Sequence, residues 1–220
     1  MNSAIIVAGG DSSRIDDIIP KQYIILDGRE ILNYSATTFL NHPAIDEVVI
    51  VCKPEWINHV TSHYQKCKIV KSGERRQDSV LKGLLSVSNK SKNVLIHDAS
   101  RPFVTNSIIS NCLSALNNAK GAAPIIDLSS SIIEYDGNSG NYLDRSTLRL
   151  VQTPQCFQKQ FILDIFESNV DGTDEIGMVL KLYPETELIF LPGDINNFKI
   201  TTKLDLILAK GIIKYNKNND

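Results

Sequence analysis

Ala4-Ile5-Ile6-Val7-Ala8-Gly9-Gly10-Asp11-Ser12-Ser13-Arg14, followed closely by Pro20-Lys21-Gln22, is the stretch from which the rest of the 220-residue chain is read. Five apolar residues in succession, cut off by paired glycines, predict a strand covered on both faces that ends in a tight turn. Without a Cβ to block the approach, Gly9 and Gly10 bring bare backbone N–H groups near an anion. Arg14 and Lys21 add two fixed positive charges beside the same loop, a combination suited to a nucleoside triphosphate. Turn glycines after a first strand also occur where only packing demands them. Neither G-x-x-x-x-G-K-[ST] nor G-x-G-x-x-G is present, which excludes a P-loop and argues against a dinucleotide fingerprint.

Working outward, short apolar runs at 4–8, 47–52, 68–70, 93–97 and 121–126 alternate with helical spacing at 31–40, 55–64, 76–87 and 106–117. Strand–helix alternation predicts an α/β domain with a mostly parallel sheet and flanking helices. Ligands in such folds lie at the carboxyl ends of the strands. Gly9-Gly10, Gly73 and Asp98 each fall just past or at the end of a predicted strand.

The alternation breaks over 129–155. Two strands, 132–135 and 142–150, flank the turn-rich Asp136-Gly137-Asn138-Ser139-Gly140, which predicts a hairpin projecting from the single domain 1–220. Apolar residues on a free arm are an edge liability, and pairing with a second copy resolves it. Helices resume at 159–167 and 173–182, followed by a strand at 187–191 and a helix at 202–215.

Hydrophobic content of 42% and charged content of 22% are those of a globular protein, and the net charge of −2 gives no bulk attraction for nucleic acid or anionic membrane. Phosphate binding must come from local basic clusters. Cys52, Cys67, Cys112 and Cys156 are scattered without C-x-x-C spacing, which argues against a zinc site or a disulfide framework. The amino-terminal apolar run breaks at Gly9 with no basic stretch before it, and no run is long enough to span a membrane, so the expected setting is cytoplasmic.

Three further stretches carry chemistry. Val94-Leu95-Ile96-His97-Asp98-Ala99-Ser100-Arg101 places an acid at the end of a buried strand, where a hydrated divalent metal is held by one or two carboxylates plus phosphate oxygens. Asp98 is the metal candidate. The alternative is that it caps the next helix or pairs with Arg101, which could itself reach phosphate. His97 reads as a packed neighbour. Gly73-Glu74-Arg75-Arg76-Gln77-Asp78-Ser79 opens a helix whose free N–H groups, with Ser79, could read the polar edge of a base; simple helix initiation is the alternative. Asn196-Asn197-Phe198-Lys199-Ile200-Thr201 reads as an apolar strand with one lysine inside, an anion-binding candidate. Thr173-Asp174-Glu175 reads as a helix N-cap.

The order of these pieces resembles the 2-C-methyl-D-erythritol 4-phosphate cytidylyltransferases and their ribitol 5-phosphate relatives, nearly end to end. The resemblance rests on Ala8-Gly9-Gly10…Arg14, Pro20-Lys21-Gln22-Tyr23, Gly73…Arg76…Asp78-Ser79-Val80…Gly83-Leu84, His97-Asp98-Ala99…Arg101-Pro102, Gln152-Thr153-Pro154-Gln155…Phe157, Thr173-Asp174 and Asn197…Lys199…Thr201. It implies a Rossmann-like nucleotidyltransferase fold, a CTP-dependent transferase, a Mg²⁺ requirement and a homodimer joined through the arm. Residue by residue, it implies Arg14, Lys21 and Lys199 as catalytic, and Ala8, Gly9 and Gly10 as the triphosphate cradle. Gly73 and Ser79 would lie near cytosine and ribose. Asp98 would serve the nucleotide, the acceptor and the metal; Arg101, Arg145 and Thr173 would meet the acceptor, Arg145 reaching across from a partner subunit.

Two positions depart from the family pattern. Ser12 stands where family loops commonly carry glycine, and Leu128 follows Asp127 where a threonine often touches the acceptor phosphate. Three readings follow: transfer of a cytidylyl group from CTP to methylerythritol phosphate, the same chemistry on ribitol phosphate or another polyol phosphate, or a non-catalytic nucleotide-binding protein that keeps the fold. Retention of Arg14, Lys21, Asp98 and Lys199 together disfavours the third.

Overall fold

A computed structural model describes residues 1–10 and 19–217. The predicted triphosphate contact Arg14 and the departure at Ser12 lie outside the described residues.

Strands β1 (Asn2–Ala8), β4 (Glu47–Cys52), β5 (Lys68–Lys71) and β6 (Asn93–Asp98) run parallel in the order β6-β1-β4-β5. Between β1 and β4 lie a small hairpin, β2 (Ile25–Leu26) with β3 (Arg29–Glu30), and helix α1 (Ile31–Asn41). Helices α2 (Ile57–His63), α3 (Arg76–Ser86) and α4 (Asn106–Ala115) follow in sequence, and β7 (Gly121–Ile126) comes after α4.

The apolar strands behave as their composition requires. Ala4, Ile6 and Ala8 of β1 pack with Leu32, Ala36 and Phe39 of α1, Val60 of α2 and Ile109 of α4. Ile5, on the opposite face, packs with Val80 and Leu84 of α3. Successive side chains of a strand point to opposite faces, so one strand feeds two cores. Helices α5 (Lys159–Glu167) and α6 (Glu175–Leu182) complete the second face through Ile162, Ile165, Ile176 and Val179. Helix α7 (Lys203–Lys217) closes a third, smaller cluster with Leu26, Ile31 and Ile200.

The region predicted as an arm divides. Strands β8 (Ile132–Tyr135) and β9 (Gly140–Leu143) form a separate two-stranded sheet that leaves Ile133, Tyr135 and Tyr142 exposed. The expected second strand over 142–150 is corrected: a 3₁₀ turn at Arg145–Thr147 interrupts it. The chain then re-enters the main sheet as β10 (Leu150–Val151), antiparallel to β7, and β11 (Gln155–Gln158), antiparallel to β6 and β7. Its last strand, β12 (Leu188–Pro192), pairs parallel with β7. The strand expected around Lys199 is also corrected: those residues form a loop before α7. That loop is tied to the end of β6 by the Ile200 N–H donating to the Ser100 carbonyl at 2.8 Å.

Candidate active site

At the carboxyl ends of β1 and β6, a cleft of about 280 Å³ is lined by Gly9, Gly10, Lys21, Gln22, Glu74, Arg75, Arg76, Ser79, Asp98 and Lys199, among others. Four cationic side chains and two carboxylates therefore converge on it. A larger hollow of about 710 Å³ opens by the start of β7 and is lined largely by 117–120 and 182–187. It lies at the wrong ends of the parallel strands for a ligand site in an open α/β sheet and gathers only one lysine with two glutamates.

Close packing dictates the glycine turn. A Cβ on Gly9 would stand 2.7 Å from Cβ of Ser72, so only glycine lets the chain pass at that distance, and nothing among the described residues lies within 4 Å of a Cβ placed on Gly10. The neighbouring 3₁₀ turn, Lys21–Tyr23, is buried and brings Lys21 to the cleft wall.

Asp98, the last residue of β6, is buried within a ring of cations. Its Oδ1 lies 3.2 Å from Nε of Arg76; its Oδ2 lies 2.9 Å from Nζ of Lys199 and 3.8 Å from Nε of Arg101. Burial alone would raise the carboxyl pKa, but Arg76, Lys199 and Arg101 outweigh it and hold the group well below the ordinary carboxylate range. Asp98 is thus an ionised carboxylate throughout the neutral range. The expected alternative pairing with Arg101 is present, as the longest of the three contacts.

Arg76 also forks onto Glu175 at the start of α6, with Nη1 to Oε1 at 2.7 Å and Nη2 to Oε2 at 3.1 Å. Full burial raises the Glu175 pKa and the Arg76 guanidinium offsets this only in part; the bidentate fork is the geometry of a charged pair. Asp174 beside it caps α6 by accepting from the Gly177 N–H at 2.8 Å.

The backbone behind Asp98 is fixed by His97. Its Nε2 lies 3.0 Å from the Arg101 carbonyl, which can only accept, so Nε2 carries the proton. Nδ1 then accepts from the Thr153 hydroxyl at 3.0 Å, and Thr153 Oγ1 accepts from the Asp98 N–H at 3.2 Å. Burial pushes the imidazole pKa down to about 4. A neutral ring with both nitrogens engaged is a spacer, as expected for a packed neighbour.

The remaining candidates separate. Arg101 Nη1 donates to the Asn197 carbonyl at 2.8 Å and Asn197 Nδ2 to the Thr153 carbonyl at 2.9 Å, so Arg101 anchors the loop that delivers Lys199. Ser79 Oγ accepts from the Gly73 N–H at 3.0 Å and donates to the Arg75 carbonyl at 3.1 Å, which shapes the turn entering α3. Gly73 needs its hydrogen there, since a Cβ would stand 2.3 Å from Cβ of Asp78. Thr173 is exposed and does not line the Asp98 cleft. Arg145 lies at the base of the arm, where Nη1 donates to the Ser129 carbonyl at 2.9 Å. It shares a hollow of about 360 Å³ with Asp127, Leu128, Ser129 and Arg149, so Arg145 and the position of the missing threonine form one feature.

In the sequence Glu175 reads only as part of a helix cap, and Thr153 and Arg76 fall within family motifs without a role of their own. Ninety-nine positions separate Arg76 from Glu175, and no local pattern announces such a pair.

A doubly covered, mostly parallel sheet with a cationic cleft at the carboxyl ends and a detached β-hairpin defines a nucleotidyltransferase-like α/β protein. The family model described as "IspD: 2-C-methyl-D-erythritol 4-phosphate cytidylyltransferase" matches residues 2–215. The chain is 39% identical over 226 aligned positions to the protein of that name from Clostridium botulinum (strain Okra), covering 97% of each. It is 35% identical over 224 to that of Syntrophus aciditrophicus, covering 96% of this chain and 95% of the relative. The crystal structure of the 4-diphosphocytidyl-2C-methyl-D-erythritol synthase of Anaerococcus prevotii superposes with a TM-score of 0.85 at 25% identity, covering 97% of this chain and 96% of that one. The chain belongs to the 2-C-methyl-D-erythritol 4-phosphate cytidylyltransferase family.

Proposed function

We propose that this enzyme transfers the cytidylyl group of CTP to 2-C-methyl-D-erythritol 4-phosphate, releasing pyrophosphate, as a step in isoprenoid precursor synthesis in the cytoplasm. The observation that carries this reading is the ionised Asp98 between Arg76 and Lys199, opening on the Gly9–Gly10 turn and Lys21. Both reactants are anions, so positioning and charge stabilisation dominate the barrier. An acceptor phosphate oxygen, already ionised at neutral pH, attacks the α-phosphorus in line as the bond to pyrophosphate breaks. Ala8, Gly9 and Gly10 cradle the triphosphate, and Gly73 and Ser79 shape the wall that receives the cytidine. Lys21, with Arg14, neutralises charge on the leaving pyrophosphate, and Lys199 holds the oxygens gaining charge at the α-phosphorus. Asp98 keeps Lys199 and Arg76 in place and meets the acceptor hydroxyls. No residue has to remove a proton, which agrees with the neutral, fully engaged His97.

Among the described residues no three His, Cys, Asp or Glu side chains gather into a metal cage. Asp98, a strand-end carboxylate beside the phosphate cradle, is the donor type that Mg²⁺ takes together with substrate phosphates, and a bound ion would share it with Arg76 and Lys199. Mg²⁺ held by the triphosphate and Asp98 would supply additional charge neutralisation. The acceptor test is a pyrophosphate-release assay on a panel of sugar and polyol phosphates with CTP or UTP. Methylerythritol phosphate with CTP should give the highest kcat/KM, because a site built to hydrogen-bond an amino group leaves partners unpaired with UTP. Higher turnover of ribitol 5-phosphate would favour the second reading, in which Leu128 beside Arg145 marks the altered acceptor pocket.

The exposed apolar residues of the β8–β9 hairpin support a homodimer paired through the arm, with Arg145 and Thr173 contacting the acceptor and Arg145 serving the neighbouring subunit's site. Mixing Arg145→Ala and Lys21→Ala chains tests this. Each homodimer should be nearly inactive. A mixed dimer holds one site with both residues intact and should regain up to about half of a wild-type dimer's activity. No recovery after verified subunit exchange would place Arg145 in its own chain's site.

A further inference from the structure

Gln22 lies between the lysine proposed to act on the triphosphate and the glycine turn proposed to cradle it, and its side chain joins the two. It is buried, and its Nε2 donates to the Ala8 carbonyl at 2.7 Å and to the Gly10 carbonyl at 3.3 Å. In a planar trans peptide the C=O and the following N–H point in opposite directions, so pinning the Ala8 oxygen fixes where the Gly9 N–H is aimed. The contact to the Gly10 oxygen likewise orients the carbonyl of the second glycine. On the other flank, the Tyr23 ring stacks on Trp56 at 4.2 Å between centroids and 15° between planes. The three-residue turn is therefore held on one side by Gln22 and on the other by Tyr23, with Lys21 riding on the same backbone.

We propose that Gln22 is a positioning residue for cytidylyl transfer: its amide holds the Lys21 turn and the Gly9–Gly10 cradle at one fixed separation. Buried amide donors are ordinarily spent on the fold, yet this one spans two carbonyls of the turn that borders the cleft. An apolar side chain of equal length would fill the space without fixing either peptide. The consequence falls on CTP. The acceptor contacts proposed above, Asp98, Arg101, Arg145 and Thr173, make none of these bonds.

The inference rests on the cytidylyltransferase reading, and the test separates the two. Gln22→Met keeps length and volume but removes both donors; Gln22→Glu replaces them with an acceptor facing two carbonyl oxygens. Each variant is compared with wild type by calorimetric titration with CTP in the presence of Mg²⁺ and no acceptor, by steady-state kinetics in both substrates, and by thermal melting. Gln22→Met should weaken CTP binding about tenfold, the scale of a lost buried hydrogen bond, and lower kcat, with KM for the acceptor unchanged. Gln22→Glu should be worse on the same two quantities. Wild-type CTP binding and kcat in Gln22→Met would overturn the inference. So would equal effects on both substrates, or variants that fail to fold, because Gln22 would then support the domain as a whole. A wild-type enzyme that releases no pyrophosphate from CTP with any acceptor would instead overturn the functional reading itself.

Discussion

Lys21→Ala is expected to lower kcat by a factor of about 10² or more, the loss seen when one preorganised charge stabiliser is removed from a reaction that develops negative charge. Lys21 lines the cleft beside Gly9 and Gly10, and the turn that carries it is anchored by Gln22 and Tyr23. The fold should therefore survive the loss of the ammonium, and the melting temperature should stay near that of wild type. Lys21→Arg restores the charge on a longer, planar group and should recover only part of the rate. Steady-state pyrophosphate release with saturating substrates measures both variants; near-normal turnover in Lys21→Ala would remove Lys21 from the triphosphate site.

The largest expected effect on stability comes from Arg76→Ala. It strips the bidentate partner from Glu175, a fully buried carboxylate, and also removes one of the three cations around Asp98. Breaking a buried pair from one side leaves an uncompensated charge and costs about 3–5 kcal/mol. The double variant Arg76→Met with Glu175→Leu removes both charges and should be more stable than Arg76→Ala while remaining catalytically poor, since Asp98 still loses its Arg76 contact. Chemical denaturation of the three proteins gives the comparison. A double variant no more stable than the single one would mean that the Arg76–Glu175 pair does not carry the cost. The same ring of cations sets a pH dependence. Asp98 has its pKa depressed in the folded protein, so its contribution to stability is present above the unfolded carboxylate value and is lost as pH falls below it.

How much was legible in advance followed from how local each signal was. The β1 run into Gly9-Gly10, the strand ending at Asp98 and the helix after Gly73 were readable because an apolar stretch meets a turn or a charge within a few residues. With a parallel sheet, the same locality puts Gly9-Gly10, Gly73 and Asp98 at one edge, where the cleft lies. Strands β10 and β11 were not readable, because Gln152 and Gln155 are polar residues buried within the sheet region. Their amides are satisfied far along the chain, Gln152 on the Asp194 carbonyl and Gln155 on Asp174 and the Ile176 N–H. Lys199 reads as part of a strand because its neighbours Phe198 and Ile200 are apolar. Those side chains instead bury against Ile31, Leu26 and α7, leaving the lysine on a loop that turns back to Asp98. The Arg76–Glu175 fork depends on the starts of α3 and α6 meeting, which only the assembled fold provides.

Direct, in-line attack at the α-phosphorus of CTP in the Asp98 cleft has a stereochemical signature, which CTP labelled at the α-phosphorus and made chiral there reveals. Incubation with 2-C-methyl-D-erythritol 4-phosphate and Mg²⁺ should move all of the label into the cytidylylated acceptor, with inverted configuration, one unlabelled pyrophosphate per product and no label on the protein when the acceptor is omitted. Retention of configuration, label bound to the protein, or pyrophosphate release that does not depend on the acceptor would contradict it.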